Sequence, residues 1–291
     1  KKKRKIPVSK IFVYFILAGM GFVYLYPVLY MIVNSFLSAG DLTDPSVTWI
    51  PTELCFDNFS TAFETLDFFK SFGMSMLMSL IPAVLQTAVT AVIAYGLARF
   101  HIPFKKVILV LILITFLLPT QVMLVPRYVL FDTYHLTDTI WAQFLPALFG
   151  QGLNSAIFIF VYYSYFVSYP VVLDEAAEID GAGKWKIFLK VSLPMAKGAI
   201  ILSMLFSFVF YWNETYLSNT LWGGKIQTLP LKLQSFTLQY EALYGKEAAG
   251  SISESVSLAG TLLSILPLLV MYLIFQRQFV ESIESTGITG E

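Results

Sequence analysis

Bond-breaking chemistry requires nucleophiles, bases or metal ligands within mutual reach, and this chain offers few. Cys55 is the lone cysteine, so it has no disulfide partner and supplies no metal framework. His101 and His135, the two histidines, stand in separate polar segments with no partnered constellation. No Gly-x-x-x-x-Gly-Lys-Ser/Thr phosphate loop occurs in the chain. The spacing of one polar segment points instead to a pair of short helices joined by a glycine turn. Asp174-Glu175-Ala176-Ala177-Glu178-Ile179-Asp180 interleaves acidic and apolar residues as a short amphipathic helix does, and Gly181 and Gly183 interrupt it. Lys184 to Leu193, with Trp185, Phe188, Leu189 and Val191, reads as a second short helix that Pro194 ends or passes to the next segment.

Two adjacent alanines leave a flat face on which another backbone can pack closely. The alternative is an amphipathic segment lying on the inner leaflet. Its acidic first helix would be repelled by anionic lipid, which favours a protein partner. Gly181 suits the turn between the helices because it tolerates backbone angles closed to other residues. Lys184, Trp185 and Lys186 suit either a partner contact or snorkelling at the membrane surface.

The elements around this segment must be membrane spans. Of 291 residues, 57% are hydrophobic and 13% charged, against roughly 25% charged in a soluble domain. Apolar stretches cover 11–33, 74–98, 107–125, 140–166, 199–212 with an extension to 217, and 256–275. Their lengths suit bilayer crossings, so an all-α, polytopic bundle of six spans in one domain over 1–291 is expected. The fifth stretch is the shortest apolar run. Equal numbers of basic and acidic residues argue against a nucleic-acid-binding surface.

Charge distribution sets the expected orientation. Fourteen of the 19 Lys and Arg residues fall in the start 1–10, in 99–106, in 167–198 and in the tail 276–291. Because cytoplasmic loops retain Lys and Arg, both termini and the Glu175 loop (168–195) belong inside, with 36–73, 126–139 and 218–255 outside. The basic run Lys1–Lys5 precedes an apolar stretch longer than the ~7 to 15 residue core of a signal peptide and reads as flanking a retained anchor. No predicted span carries an Asp, Glu, Lys or Arg near its centre, where ion-coupled carriers often place one. Gln86, Thr87, Thr90, Thr115, Thr120, Gln121 and Asn154 are the polar residues that could line a path or bond between helices.

Glu175-Ala176-Ala177, Asp180-Gly181 and Val191-x-Leu193-Pro194 closely resemble the EAA loop of ABC importer permeases, with Val191 where Ile is usual. Trp212-Asn213-Glu214, Thr228-Leu229-Pro230 with Leu233 and Phe236, and Phe275-Gln276-Arg277-Gln278-Phe279-Val280 resemble the carbohydrate-uptake, maltose-transporter-like branch. Tyr95-Gly96-Leu97-Ala98-Arg99-Phe100 and Asp57-Asn58-Phe59 agree with it less specifically, and Glu291 departs from the family's basic, Gly-rich ending. The resemblance implies the type I ABC importer permease fold in a bacterial cytoplasmic membrane. It also implies that Glu175, Ala176, Ala177, Asp180, Gly181, Leu193 and Pro194 couple to the ATPase, Glu175 as the polar anchor. The outer loop 218–255 would meet a solute-binding protein, with Trp222, Gly223, Gly224, Gln227 and Tyr240 as contacts. The implied partners are a second permease, two ATP-binding subunits, an extracytoplasmic solute-binding protein, the lipid bilayer and a carbohydrate. This chain would bind no cofactor and catalyse nothing, ATP and Mg being used by the partner ATPase. A permease for a non-sugar solute is the alternative within the family. A secondary transporter shares the composition but leaves the loop motif unexplained.

Overall fold

The computed structural model describes residues 8–246 and 254–287. The Lys1–Lys5 run, part of the outer loop at 247–253 and the end of the tail at 288–291 lie outside the described residues. Among the described residues the regular structure is entirely helical. Three helices are individually long and apolar enough to cross a membrane, and there are up to six crossings if each of three sharply bent helix pairs is one span.

Two of the expected stretches are not continuous. The 107–125 stretch is α5 (Lys105–Leu117) followed by α6 (Thr120–Thr133), bent by 99°. Pro119 is the cause, since it disfavours helical backbone at Leu118, which is extended, and cannot continue the amide ladder. α6 also runs eight residues past the expected end at 125, which carries Arg127 into it. The 140–166 stretch is α7 (Trp141–Leu148) and α8 (Ser155–Ser168), separated by a turn in which Gly150 and Asn154 both have positive φ. The fifth stretch is α12 (Lys197–Asn213); its expected extension breaks at Glu214, and a separate short helix, α13 (Tyr216–Trp222), follows.

The described chain divides into two compact units, Lys1–Phe68 with Lys232–Pro267, and Phe69–Leu231 with Leu268–Glu291. In the first, α1 (Val8–Asn34) is followed by a loop that Ser38 and Asp41 cap reciprocally at α2 (Ala39–Thr43). The buried Asn58 of α3 (Asp57–Thr65) donates to the carbonyls of Ser35 and Leu37 at 3.0 and 2.9 Å, fixing how the chain leaves α1. α15 (Phe236–Tyr244), preceded in sequence by the short α14 (Leu229–Gln234), packs on α3, and the Tyr244 hydroxyl donates to Glu64 at 2.8 Å.

The second unit is assembled around α4 (Phe68–Arg99), whose buried positions are small or polar over most of its length, including Ser71, Ser75, Ser79, Ala83, Thr87, Ala91 and Ala94. Small residues let membrane helices approach closely, and lipid supplies no hydrophobic drive to replace that packing. At one end of α4, Tyr95 and Leu97 pack with Tyr162, Phe166, Tyr169 and Phe188. Toward its other end, Met78 packs with Phe131, Phe144, Leu221 and Trp222. Between them the fully buried Gln86 closes a ring of bonds. Its amide donates to the Leu153 carbonyl at 2.7 Å and to Ser207 at 3.2 Å, while the Tyr211 hydroxyl donates to the Gln86 carbonyl at 2.6 Å and accepts from the Leu153 amide at 3.2 Å. Gln86 therefore bonds between helices and pins the turn before α8.

Candidate functional site

The EAA segment folds as helix, glycine turn, helix. α9 (Val172–Ile179) starts after Pro170, with Asp174 and Glu175 in its first turn, where the partial positive charge of a helix N-terminus favours acidic side chains. At its C-terminus the Ala182 amide donates to the Ala177 carbonyl at 2.9 Å and the Gly181 amide to the Glu178 carbonyl at 3.0 Å. That bonding pair is a Schellman ending, and it requires a left-handed residue at Gly181, whose φ is +79°. A β-carbon at Gly181 would meet nothing within 4 Å, so glycine is needed there for its backbone angle and not for space. Gly183 has an ordinary φ of −71° and caps the next helix.

The second helix begins as α10 (Lys184–Ile187), widens into a π-turn over Phe188–Ser192 and closes with α11 (Leu193–Met195). Pro194 lacks the amide that would bond one turn back, and its ring crowds the carbonyl there. The widened turn, in which the Leu193 amide reaches back to Phe188, accommodates the proline without ending the helix. Leu193 is half-buried against the Tyr95–Phe166 cluster and Pro194 is exposed.

Outward, the pair of helices presents an apolar surface with an acidic edge. Ile179 is 87% exposed, Val172 68% and Trp185 67%, and Glu175, Ala176 and Asp180 are exposed beside them. Ala177 is half-buried, and Lys184 pairs with Glu178 across the glycine turn. Inward, a buried clamp holds this surface to the end of α4. The Arg99 Nε lies 3.2 Å from Asp174 Oδ2 as an ion pair, with side chains 9% and 10% exposed. Arg99 Nη2 donates to the Tyr169 carbonyl at 3.0 Å, and the guanidinium lies 3.8 Å over the Tyr169 ring. The Tyr169 hydroxyl donates to Asp174 Oδ1 and lies 2.7 Å from the Ser192 hydroxyl. One residue from α4, one from α9, one from the linker between α8 and α9 and one from the π-turn thus share a single polar knot. Burial, and then the bond to Asp174, push the Tyr169 phenol above its usual range, so it stays a neutral donor at physiological pH.

Sequence reasoning singled out the exposed loop residues but missed the clamp. Asp174 reads as one more acidic residue of an amphipathic helix, and Arg99 as one of the basic residues of the 99–106 loop. The available signal was that each charge adjoins a long apolar run, where a buried charge needs a partner.

The residues expected to meet a binding protein separate into two groups. Gly223 and Gly224, with φ of +48° and +83°, form an exposed turn after α13. Lys225 pairs with Asp138 at 2.9 Å, and half-buried Gln227 donates to the Gly224 carbonyl at 2.8 Å. Trp222 is 2% exposed and supports the turn from beneath. Tyr240 is half-buried in α15, in the other compact unit.

A cavity of about 480 Å³ opens where both broken stretches meet, lined by Thr115, Phe116 and Thr120 beside the α5–α6 bend, by the 150–156 turn, and by Arg127, Phe210 and Glu214. Arg127, missing from the expected span interiors, faces it from the extended α6.

A model of the family described as binding-protein-dependent transport system inner membrane component matches residues 88–282. The chain is 26% identical, over 94% of each protein, to the arabinooligosaccharides transport system permease protein AraQ of Halalkalibacterium halodurans. It is likewise 26% identical, over 96% of each, to the lactose transport system permease protein LacG of Rhizobium radiobacter. Its fold matches, with TM-score 0.77 and 23% identity, a chain of a bacterial ABC transporter involved in the import of the acidic polysaccharide alginate, covering 95% of this chain and 99% of that one. An all-helical membrane bundle carrying an exposed EAA helix, matched by that model across both the helix and most of the bundle, belongs to the family of binding-protein-dependent transport system inner membrane components.

Proposed function

We propose that this chain is one permease subunit of an ATP-driven importer that moves an oligosaccharide delivered by a solute-binding protein across a bacterial cytoplasmic membrane. It pairs with a second permease and two ATP-binding subunits and carries no catalytic step itself, ATP and Mg acting in those partners. The observation that carries the reading is the pairing of an exposed apolar face on α9 and α10 with a buried clamp beneath it. A face left bare on a helix fixed to the longest helix of its unit is suited to transmit force from a bound partner. In this reading Ala176, Val172 and Ile179 pack on the ATPase, Glu175 and Asp180 border the contact, Gly181 sets the turn, and Leu193 and Pro194 join the loop to α12.

Carbohydrate is favoured by the similarity, over nearly full length, to the arabinooligosaccharide and lactose transport permeases. Cytoplasmic termini and the extracytoplasmic 218–255 loop follow from the Lys and Arg distribution. The exposed Gly223–Gly224 turn with Gln227, and Tyr240 separately, are the surfaces offered to the binding protein, with Trp222 as support. The test is to purify the assembled transporter in a bilayer and measure ATP hydrolysis with the binding protein and a panel of oligosaccharides, amino acids and anions. Stimulation by an oligosaccharide is expected. Stimulation confined to a non-sugar solute contradicts the substrate assignment.

A further inference from the structure

The loop between α2 and α3 turns back along α1. Two bonds close its base: the Thr52 hydroxyl donates to the buried carboxylate of Asp41, and the Cys55 amide donates to the Phe36 carbonyl at 3.0 Å. Above that base a turn at Asp44, whose carboxylate accepts from the Ser46 amide and hydroxyl at 2.8 and 2.7 Å, sends the chain into Val47–Pro51. There Trp49 meets Tyr26 of α1 edge to face, with ring centroids 5.3 Å apart. Tyr26 stands eight positions before Asn34, the last residue of α1, which is about 12 Å along a helix axis. The headgroup layer on each side of a bilayer is only roughly 5–8 Å deep. A tip that returns so far along a spanning helix therefore reaches the membrane, even where the last turn of that helix stands clear of it.

What the tip carries at that depth is apolar and unpaired. Ile50 is 82% exposed and Trp49 40%. Among the described residues the backbone amides of Thr48, Trp49 and Ile50 donate to no acceptor. Water would satisfy those amides but leave both side chains bare, whereas hydrocarbon would cover the side chains and strand the amides. The headgroup layer meets both needs. Its phosphate and ester oxygens accept from amides, while an indole ring and a branched chain reach the first acyl carbons. Charge plays no part in the attraction, because no Lys or Arg occurs between Lys10 and Lys70 and the loop's exposed charges, Asp44 and Glu53, are acidic.

We propose that Trp49 and Ile50 form an interfacial anchor that inserts into the phospholipid headgroup layer of the outer leaflet. Its partner is zwitterionic phospholipid, held by apolar burial and by the free amides. The depth of the tip is passed on within its unit, since the base of the loop is bonded to Phe36 and Asp41, and Asn58 of α3 is bonded to Ser35 and Leu37. The anchor thus sets the height of α3 above the membrane. That the leaflet is the outer one rests on the Lys and Arg distribution, and the test reads it separately.

The assembled transporter is prepared with Cys55→Ser and Ile50→Cys, and the single thiol is labelled with a small polarity-sensitive fluorophore. At 82% exposure position 50 tolerates the label without disturbing the fold. The complex is reconstituted in phosphatidylethanolamine–phosphatidylcholine vesicles that contain phosphatidylcholine spin-labelled either beside the headgroup or near the chain end. Quenching by the shallow label is expected to be about threefold stronger than by the deep label or by aqueous iodide. Trp49→Ala, which removes the contact with Tyr26, is expected to cut the shallow quenching by about half, and Trp49→Phe to retain most of it. Quenching by iodide alone puts the tip in water and overturns the anchor. Resistance to all three quenchers means that protein, such as the second permease, covers the tip, and overturns it as well. In right-side-out membrane vesicles a reductant that does not cross the bilayer is expected to bleach the fluorophore from outside. Bleaching only after permeabilisation overturns the outer-leaflet assignment, while the lipid quenching decides insertion independently.

Discussion

Asp174→Asn isolates the clamp beneath the docking face. The substitution keeps the shape of the side chain and its ability to accept from Tyr169, but removes the charge opposite Arg99. With both side chains about nine-tenths buried, solvent screens little of the loss. Leaving one member of a buried pair uncompensated costs roughly 3–5 kcal/mol, and the lower end applies because the Tyr169 carbonyl and ring still hold the guanidinium. A cost of about 3 kcal/mol shifts the balance between anchored and detached loop by roughly 100-fold. Proteolysis reads that balance when opening is faster than cleavage. Tryptic cutting after the exposed Lys186 and Lys190 in the reconstituted protein should therefore accelerate by about the same factor. In the assembled transporter the solute moved per ATP hydrolysed should fall while the chain still inserts in the membrane. The double variant Arg99→Met with Asp174→Leu removes both charges and should recover most of the protection from trypsin, giving a coupling energy of about 1–3 kcal/mol. Wild-type cleavage and coupling in both Asp174→Asn and Arg99→Met would refute the reasoning.

Four further outcomes follow from local geometry. Gly181→Ala imposes a left-handed angle on a residue with a β-carbon but creates no clash, so it should cost about 1–2 kcal/mol and reduce uptake partially. Gly181→Pro also removes the amide that bonds Glu178 and should abolish uptake with insertion intact, as measured by membrane fractionation and transport. A β-carbon at Gly152 would strike Gln86 and Tyr211 and approach the Ala147 backbone at 3.2 Å. Gly152→Ala should therefore destabilise the detergent-solubilised protein by about 1–3 kcal/mol in a thermal unfolding assay. Ile179→Lys changes a side chain that is 87% exposed, so thermal stability should hold within about 0.5 kcal/mol while co-purification with the ATP-binding subunit is lost.

Where the fold could be read from the sequence, one physical rule acted alone. Long apolar runs required spans, and α1, α4 and α16 (Glu254–Gly287) follow them. The loop was legible because an interleaved acidic and apolar run and a glycine each dictate a local conformation, and α9 and the Gly181 turn are those conformations, whereas the Phe188–Ser192 widening that lets the helix run through Pro194 was not read. The breaks were not legible because hydropathy is blind to backbone direction. Leu118-Pro119 and Gly150–Asn154 leave the runs as apolar as before while turning the chain. The clamp was hidden for a different reason. Arg99 and Asp174 lie far apart in sequence, and only the packing of Tyr95, Tyr169 and Phe188 brings them together. Arg127 was missed through the same break at Pro119, since a boundary set by hydropathy at 125 put it in a loop.

The central claim is that the exposed face of α9 is covered by an ATP-binding subunit and not by lipid. A photoreactive phenylalanine analogue at Ile179, activated in membranes containing the assembled transporter, tests it directly. The account predicts an adduct with the ATP-binding subunit whose yield changes when ATP is added. Adducts with phospholipid alone, at the same yield with and without ATP, would contradict it.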